Sequence, residues 1–403
     1  MIRKTFFIAL LVCTALSAHA QGSQTEPLTF TVTKANAITP VKNQNRSGTC
    51  WAYASMAFFE SEILRKTGKI YDLSEMFVAN KDYMDCAVFH VRMHGDSRFS
   101  EGGSVTDALS VARCYGLCPE TAMAAPGSLT GDSLADFTEM SSVMQPYVTA
   151  VAAQTGKLST QWKVGLQQVL DAYLGPCPQS FVYEGRTYTP KSFAESLGID
   201  FSDYVSITSF THHPFYSLFA IEAPYKWRWS QSYNVPMEEM MNLIDEALDK
   251  GFTVAWGGDV SEDGFTRTGL AVACDLPRVQ DLTGSDAARW LGLTRTEKAR
   301  KLTTLGADIP EIQPSQERRQ QRFDNHEMTY DHVMLIYGKA HDQNGRPYYL
   351  VKNSWGKTGD YDGIWYMSRN FIADNTVYVV LSKEALSEPF KQKTGIDSRA
   401  VYE

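Results

Sequence analysis

The apolar positions of this chain fall into two regimes. In residues 50–65, Trp51, Ala54, Phe58 and Phe59 recur at three- and four-residue spacing, and Gly68 follows. That period predicts a helix with a glycine stop. Residues 104–115 predict a second helix, with Ser104 as its cap and Gly116 ending it. Residues 160–174 and 237–250 carry the same period. After Lys250 the pattern changes to short runs rich in Val, Ile, Tyr and Trp, at 252–256, 332–337, 348–352, 364–368 and 376–381. These predict strands. Residues 21–36 are polar and irregular and predict an extended arm, and the polar stretch 275–324 reads as an insertion. Helices first and strands last predict an α+β protein: a mainly helical half packed on a mainly sheet half, with a cleft between them.

The 43% hydrophobic and 21% charged residues are those of a globular chain. Its first 20 residues carry a different signal. Arg3 and Lys4 make a short basic start, residues 6–16 are almost unbroken apolar, and Ala18-His19-Ala20 closes the run. This predicts a signal peptide cleaved near Ala20 and export to the periplasm or medium. Removing it takes away two basic residues and no acidic one, so the charge moves from −8 to −10. No basic cluster stands out, which argues against a nucleic-acid partner. No later segment has the roughly 20 apolar residues of a membrane span. Six cysteines remain after Cys13, at wide and irregular spacing. Cys114 and Cys118 could pair or bind metal, although two free thiols is the commoner case. If Cys50 stays free, at least one other must also be unpaired or reduced.

Chemistry concentrates in two places. The first is the string from Thr39 to Ala52, which contains Gln44 and runs through Ser47-Gly48-Thr49-Cys50-Trp51. A free thiol is mostly protonated at neutral pH, and a helix N-terminus or a neighbouring imidazolium lowers its pKa. Cys50 stands where the predicted helix begins. Its own backbone N–H would face an oxyanion formed by its attack, and the Gln44 side-chain amide supplies a second donor. The competing reading makes Cys50 a small buried hydrophobe.

The second place runs Tyr330-Asp331-His332-Val333 to Gly338, then Tyr349 to Lys352-Asn353-Ser354-Trp355-Gly356. The intervening stretch 339–347 contains Asn344-Gly345, a hairpin signal. A hairpin centred there folds His332 back beside Asn353. Asn353 can then orient one ring nitrogen through its side-chain oxygen, leaving the other to face Cys50, with Trp355 covering that bond from water. The other histidines carry less. His90 and His94 are four apart without a third metal ligand, and His212-His213 precede Pro214 in a predicted turn. No metal site and no cofactor are expected.

Gln44 to Trp51, the late His332 and the Asn353-Ser354-Trp355-Gly356 string, three separated motifs in this order, resemble the papain superfamily of cysteine peptidases. Glu101-Gly102-Gly103 is similar to the papain-type stretch whose backbone pairs with substrate. Cys50 and His332 lie 282 residues apart, against about 130–150 in papain-like enzymes, so about half of the interval is inserted. Strings in 112–123, 174–181, 203–206 with His213-Pro214, and 234–260 resemble bleomycin hydrolase and bacterial aminopeptidase C.

The resemblance implies a papain-like two-lobed fold with a large, mainly helical insertion. It implies a Cys50–His332–Asn353 triad with Gln44 as oxyanion donor, and substrate contacts from Gly102, Gly103, Asp259 and Trp355. The expected reaction is removal of N-terminal residues from peptides. The alternatives are a papain-like endopeptidase, a dipeptidyl peptidase or a cell-wall amidase. The expected division is an arm and helical lobe over 21–120, the insertion over 121–235, a sheet lobe over 236–386 and a tail over 387–403. Relatives assemble as hexamers, which makes a homo-oligomer an expectation. Ser47 stands where papain has a disulfide partner, and the tail ends Ala400-Val401-Tyr402-Glu403 without the relatives' terminal string. With 29 residues between Ala20 and Cys50, no long inhibitory prosegment is expected.

Overall fold

A computed structural model describes residues 27–125, 134–274 and 309–396, with four isolated positions between the last two segments. The apolar start, most of the stretch 275–324 and the last seven residues lie outside the described residues.

Six helices come first: α1 (Cys50–Thr67), α2 (Glu75–Arg92), α3 (Val105–Tyr115), α4 (Thr138–Ala152), α5 (Gln161–Leu174) and α6 (Pro190–Ser196). α1 ends at Gly68 in the left-handed region, and α3 starts with a capping box between Ser104 and Asp107. The sheet lobe supplies α7 (Met237–Asp249), α8 (Gln316–Asp324), α9 (Arg369–Asn375) and α10 (Glu388–Thr394).

Ten strands among the described residues form one mixed sheet. Its central members are β7 (Val254–Gly258), β9 (His332–Asp342), β10 (Pro347–Lys352), β11 (Ile364–Ser368) and β12 (Thr376–Ser382). The arm gives β1 (Phe30–Ala35), antiparallel to β9. A separate small hairpin joins β2 (Phe181–Tyr183) to β3 (Arg186–Tyr188). The expected insertion is not purely helical. Its β4 (Tyr204–Thr208), β5 (Leu218–Ala220) and β6 (Gln231–Asn234) extend the main sheet beyond β12, and β8 (Leu270–Ala271) closes the far edge. All five residues of β4 are buried because its two faces are both covered, with Tyr204 in the core of the helical lobe and Val205 and Ile207 in the other, so no alternation marked it in the sequence.

The sheet separates two cores. Along β9, Val333 and Leu335 join the core of the helical lobe, whereas Met334 and Ile336 join the core that includes α7. This alternation is the two-residue period of a strand covered on both faces. The hairpin between β9 and β10 turns at Asn344-Gly345, as the sequence suggested, and its first strand runs longer than expected. β9 continues to Asp342, whose Oδ1 accepts the N–H groups of Asn344 and Arg346, and Gly345 takes φ +79°.

Candidate active site

The start of α1, the start of β9 and the segment after β10 meet at a cleft of about 570 Å³. Its lining includes Gln44, Cys50, Gly102, Gly103, His332 and Trp355. Asp259 stands apart. It is fully buried, its Oδ1 accepts from the N–H and hydroxyl of Ser261, and its Oδ2 accepts from those of Thr329. The expected substrate contact at Asp259 is therefore corrected, because one carboxylate oxygen closes a turn onto Ser261 and the other ties down Thr329. Asp259→Ala should lower stability by about 1–3 kcal/mol and leave KM in place, measured by urea unfolding and steady-state kinetics. A changed KM at unchanged stability would return Asp259 to the groove.

Cys50 is the first residue of α1, and Thr49 makes no side-chain cap. The N–H groups of Trp51 and of Cys50 itself at the helix mouth, and that of Val333 on β9, reach the sulfur and pull its pKa down. Burial comes first, however, and pushes the thiol up to about 12. The helix mouth thus acts in the direction the sequence reading gave it, and burial opposes it. His332 is buried, and burial pushes its imidazole down to about 4, with the Asn353 bond pulling the other way. Each charge is opposed singly, so the imidazole stands unprotonated at neutral pH, the form that accepts a proton.

The tautomer of His332 follows from its neighbours. Asn353 Oδ1 accepts the N–H of Ser354 at 2.8 Å, which fixes which amide atom is oxygen. That oxygen lies 2.8 Å from His332 Nε2, so Nε2 carries the proton and Nδ1 keeps its lone pair. The Trp355 ring lies 4.9 Å from the imidazole and shields the bond. Gln44 is buried. Its Oε1 accepts from Ser354 Oγ at 2.6 Å and its Nε2 donates to Ser47 O at 2.7 Å, leaving one amide hydrogen at the cleft.

Two supports went unread in the sequence. Glu101 accepts the Gly48 N–H and the Ser141 hydroxyl through its carboxylate, pinning the turn before Cys50. Its backbone oxygen accepts from the Trp51 indole and the Tyr83 hydroxyl. Beneath the site, Glu60 of α1 accepts from Thr39 and from the Leu73 N–H, and Lys352 of β10 donates to the same Thr39. Lys42 bridges Asp72 and Glu75. This buried node ties the Gln44 segment, α1, α2 and the strand before Asn353 into one block. A carboxylate among Phe58, Phe59 and Ile63 was the available signal, since a buried charge needs partners.

Among the described residues all six cysteines are free, including exposed Cys114 and buried Cys118. His90 binds Ser97 and His94 lies past the end of α2, so they do not form a pair. His212 and His213 both contact Glu222, at 3.0 and 3.1 Å. Gln320 Nε2 donates to His212 Nδ1, which makes Nε2 the protonated nitrogen and its Glu222 contact a hydrogen bond.

Residues 27–161 match the papain family cysteine protease model, and residues 308–400 match the peptidase C1-like family model. Aminopeptidase G of Lactobacillus delbrueckii subsp. lactis is 23% identical over 388 residues, covering 86% of this chain and 82% of its own. Aminopeptidase C of Lactococcus lactis subsp. cremoris is 22% identical, covering 87% and 82%. The crystal structure of PepW from Lactobacillus rhamnosis superposes with a TM-score of 0.68 at 18% identity, over 91% of this chain and 85% of that one, which shows the fold. A further relative, 22% identical over 88% of this chain and 77% of its own, is the mitochondrial cysteine proteinase 1 of Saccharomyces cerevisiae. The expectation of export is corrected by this company. A basic, acid-free start before an apolar run is shared by more than one kind of targeting segment, so it did not specify a destination. Among the described residues no helix is long and apolar enough to cross a membrane. By its motifs and these two family matches, the chain belongs to the papain family of cysteine peptidases, and over most of its length it is similar to the aminopeptidases C and G.

Proposed function

We propose that this enzyme removes N-terminal residues from peptides through a thioester acyl-enzyme on Cys50, with His332 as base, Asn353 as its orienting partner and Gln44 as oxyanion donor. The observation that carries the reading is the His332–Asn353 bond at 2.8 Å, which frees Nδ1 at the cleft that Cys50 also lines. The sulfur attacks the peptide carbonyl carbon while Nδ1 takes the thiol proton. The oxyanion accepts the Cys50 N–H and the free Gln44 amide hydrogen. Nδ1 then gives its proton to the leaving amine, and water, deprotonated by the same nitrogen, releases the acid and restores the thiol.

Hydrolysis of a fluorogenic amino-acid amide, compared with an N-blocked peptide, tests the reading. Thiol-dependent cleavage of the free-amine substrate in preference to the blocked one supports it. Equal cleavage of both contradicts amine recognition. Asn353→Ala should retain turnover, with kcat/KM falling roughly tenfold, because it removes one neutral bond worth about 1.5 kcal/mol. A loss as deep as that from removing the nucleophile would make Asn353 more than a guide. On the same reading residues 121–235 are the insertion, and sedimentation velocity tests the homo-oligomer that the resemblance implies.

A further inference from the structure

The insertion contributes two side chains to the cleft, Gln145 and Tyr225, that the catalytic motifs do not explain. Tyr225 lines it beside Gly102. A Cβ built on Gly102 would run into the Tyr225 ring, so the ring rests directly on the Gly102 backbone. Arg98 braces it from behind: its Nη2 donates to the Tyr225 hydroxyl at 2.8 Å, and its guanidinium lies 4.3 Å from the ring centroid. The three residues that follow are all anchored. The Lys226 ammonium sits 4.2 Å over the Tyr378 ring, and the Trp227 indole donates to Asp82 at 3.4 Å. Arg228 donates to Asp82 and Asp85 at 2.8 Å each. A ring held this way cannot swing aside at little cost.

The chemistry fixes which end of the groove the ring blocks. Nδ1 of His332 must protonate the leaving amine, so the leaving peptide lies on the flank of the imidazole. That flank is Trp355, which packs on His332 and is bridged to Asn43 beside Gln44. The acyl portion therefore runs the other way, toward Gly102 and Gly103, where Tyr330 donates to Gly103 O at 2.6 Å and packs 6.2 Å from Tyr225.

We infer that Tyr225, braced by Arg98, is a specificity-determining residue that ends the acyl side of the groove at Gly102 and so limits how many residues precede the cleaved bond. This rests on the peptidase reading above and accounts for a preference for short acyl portions by a wall rather than by a charge. The test measures the ratio of kcat/KM for an N-acetylated tripeptidyl fluorogenic substrate to that for a single-residue amide. Tyr225→Ala should raise the ratio by about tenfold or more, and Arg98→Ala should raise it less. Tyr225→Phe, which keeps the ring, should stay within about threefold of the wild-type ratio. A folded, thiol-dependent Tyr225→Ala enzyme with the wild-type ratio overturns the inference. If Tyr225→Ala lacks a cooperative melt, Arg98→Ala decides alone by the same criterion. Failure of the underlying reading looks different: Cys50→Ala would then cleave the single-residue amide as wild type does.

Discussion

Cys50→Ala is expected to lower hydrolysis of a free-amine fluorogenic substrate by roughly 10⁴-fold or more, because removing a nucleophile leaves only what binding and the oxyanion donors supply. The fold should survive. The buried sulfur is all that the change removes while the residue keeps part of its surface at the cleft, alanine is the best helix former, and Thr49 provides no cap that the change could disturb. The Val333 and Trp51 N–H groups that face the sulfur would meet cleft water instead. Thermal melting should therefore stay cooperative and close to wild type while turnover vanishes. Retained hydrolysis at a normal melting temperature would remove Cys50 from the chemistry. Alkylation separates this thiol from the others, because exposed Cys114 reacts in both proteins and only the wild type loses activity on reaction.

Gln44→Ala should cost about 3–4 kcal/mol of barrier, roughly 10²–10³ in kcat, with little change in KM. The amide engages the leaving flank through Ser354 and its own turn through Ser47, so two structural bonds go with the donor. Gln44→Glu separates the roles. It keeps an oxygen for Ser354 and replaces the oxyanion donor by a carboxylate oxygen that repels the developing charge. Its kcat should fall at least as far as that of the alanine variant. An effect confined to KM in both variants would assign Gln44 to ground-state binding instead.

Much of this was legible before any coordinates. The helix from Cys50, the capped helix after Ser104 and the strands carrying His332 and Lys352 follow from period and punctuation, and the structure has them within a few residues. What stayed hidden has physical causes. β4 lacks alternation because both its faces are covered. The node of Thr39, Glu60, Lys42 and Lys352 joins residues over 300 positions apart, which no local pattern announces. Asp259 was carried over by resemblance, and only its bonds to Ser261 and Thr329 reveal that its carboxylate is spent. Tyr225 carried no motif at all, and its place became visible only once Gly102 was seen beneath it.

The pairing of β1 with β9 has a consequence for the protein's birth. The strand that begins at His332 is clamped between the arm at Phe30–Ala35 and β7 and β10, and rests on α1. Nearly 300 residues must leave the ribosome after Cys50 before that strand exists, and chain ends so distant in sequence meet late. A growing polypeptide therefore displays a thiol without its base. Hydrolytic power arrives only with the finished topology, which spares the neighbouring nascent chains from a half-made protease.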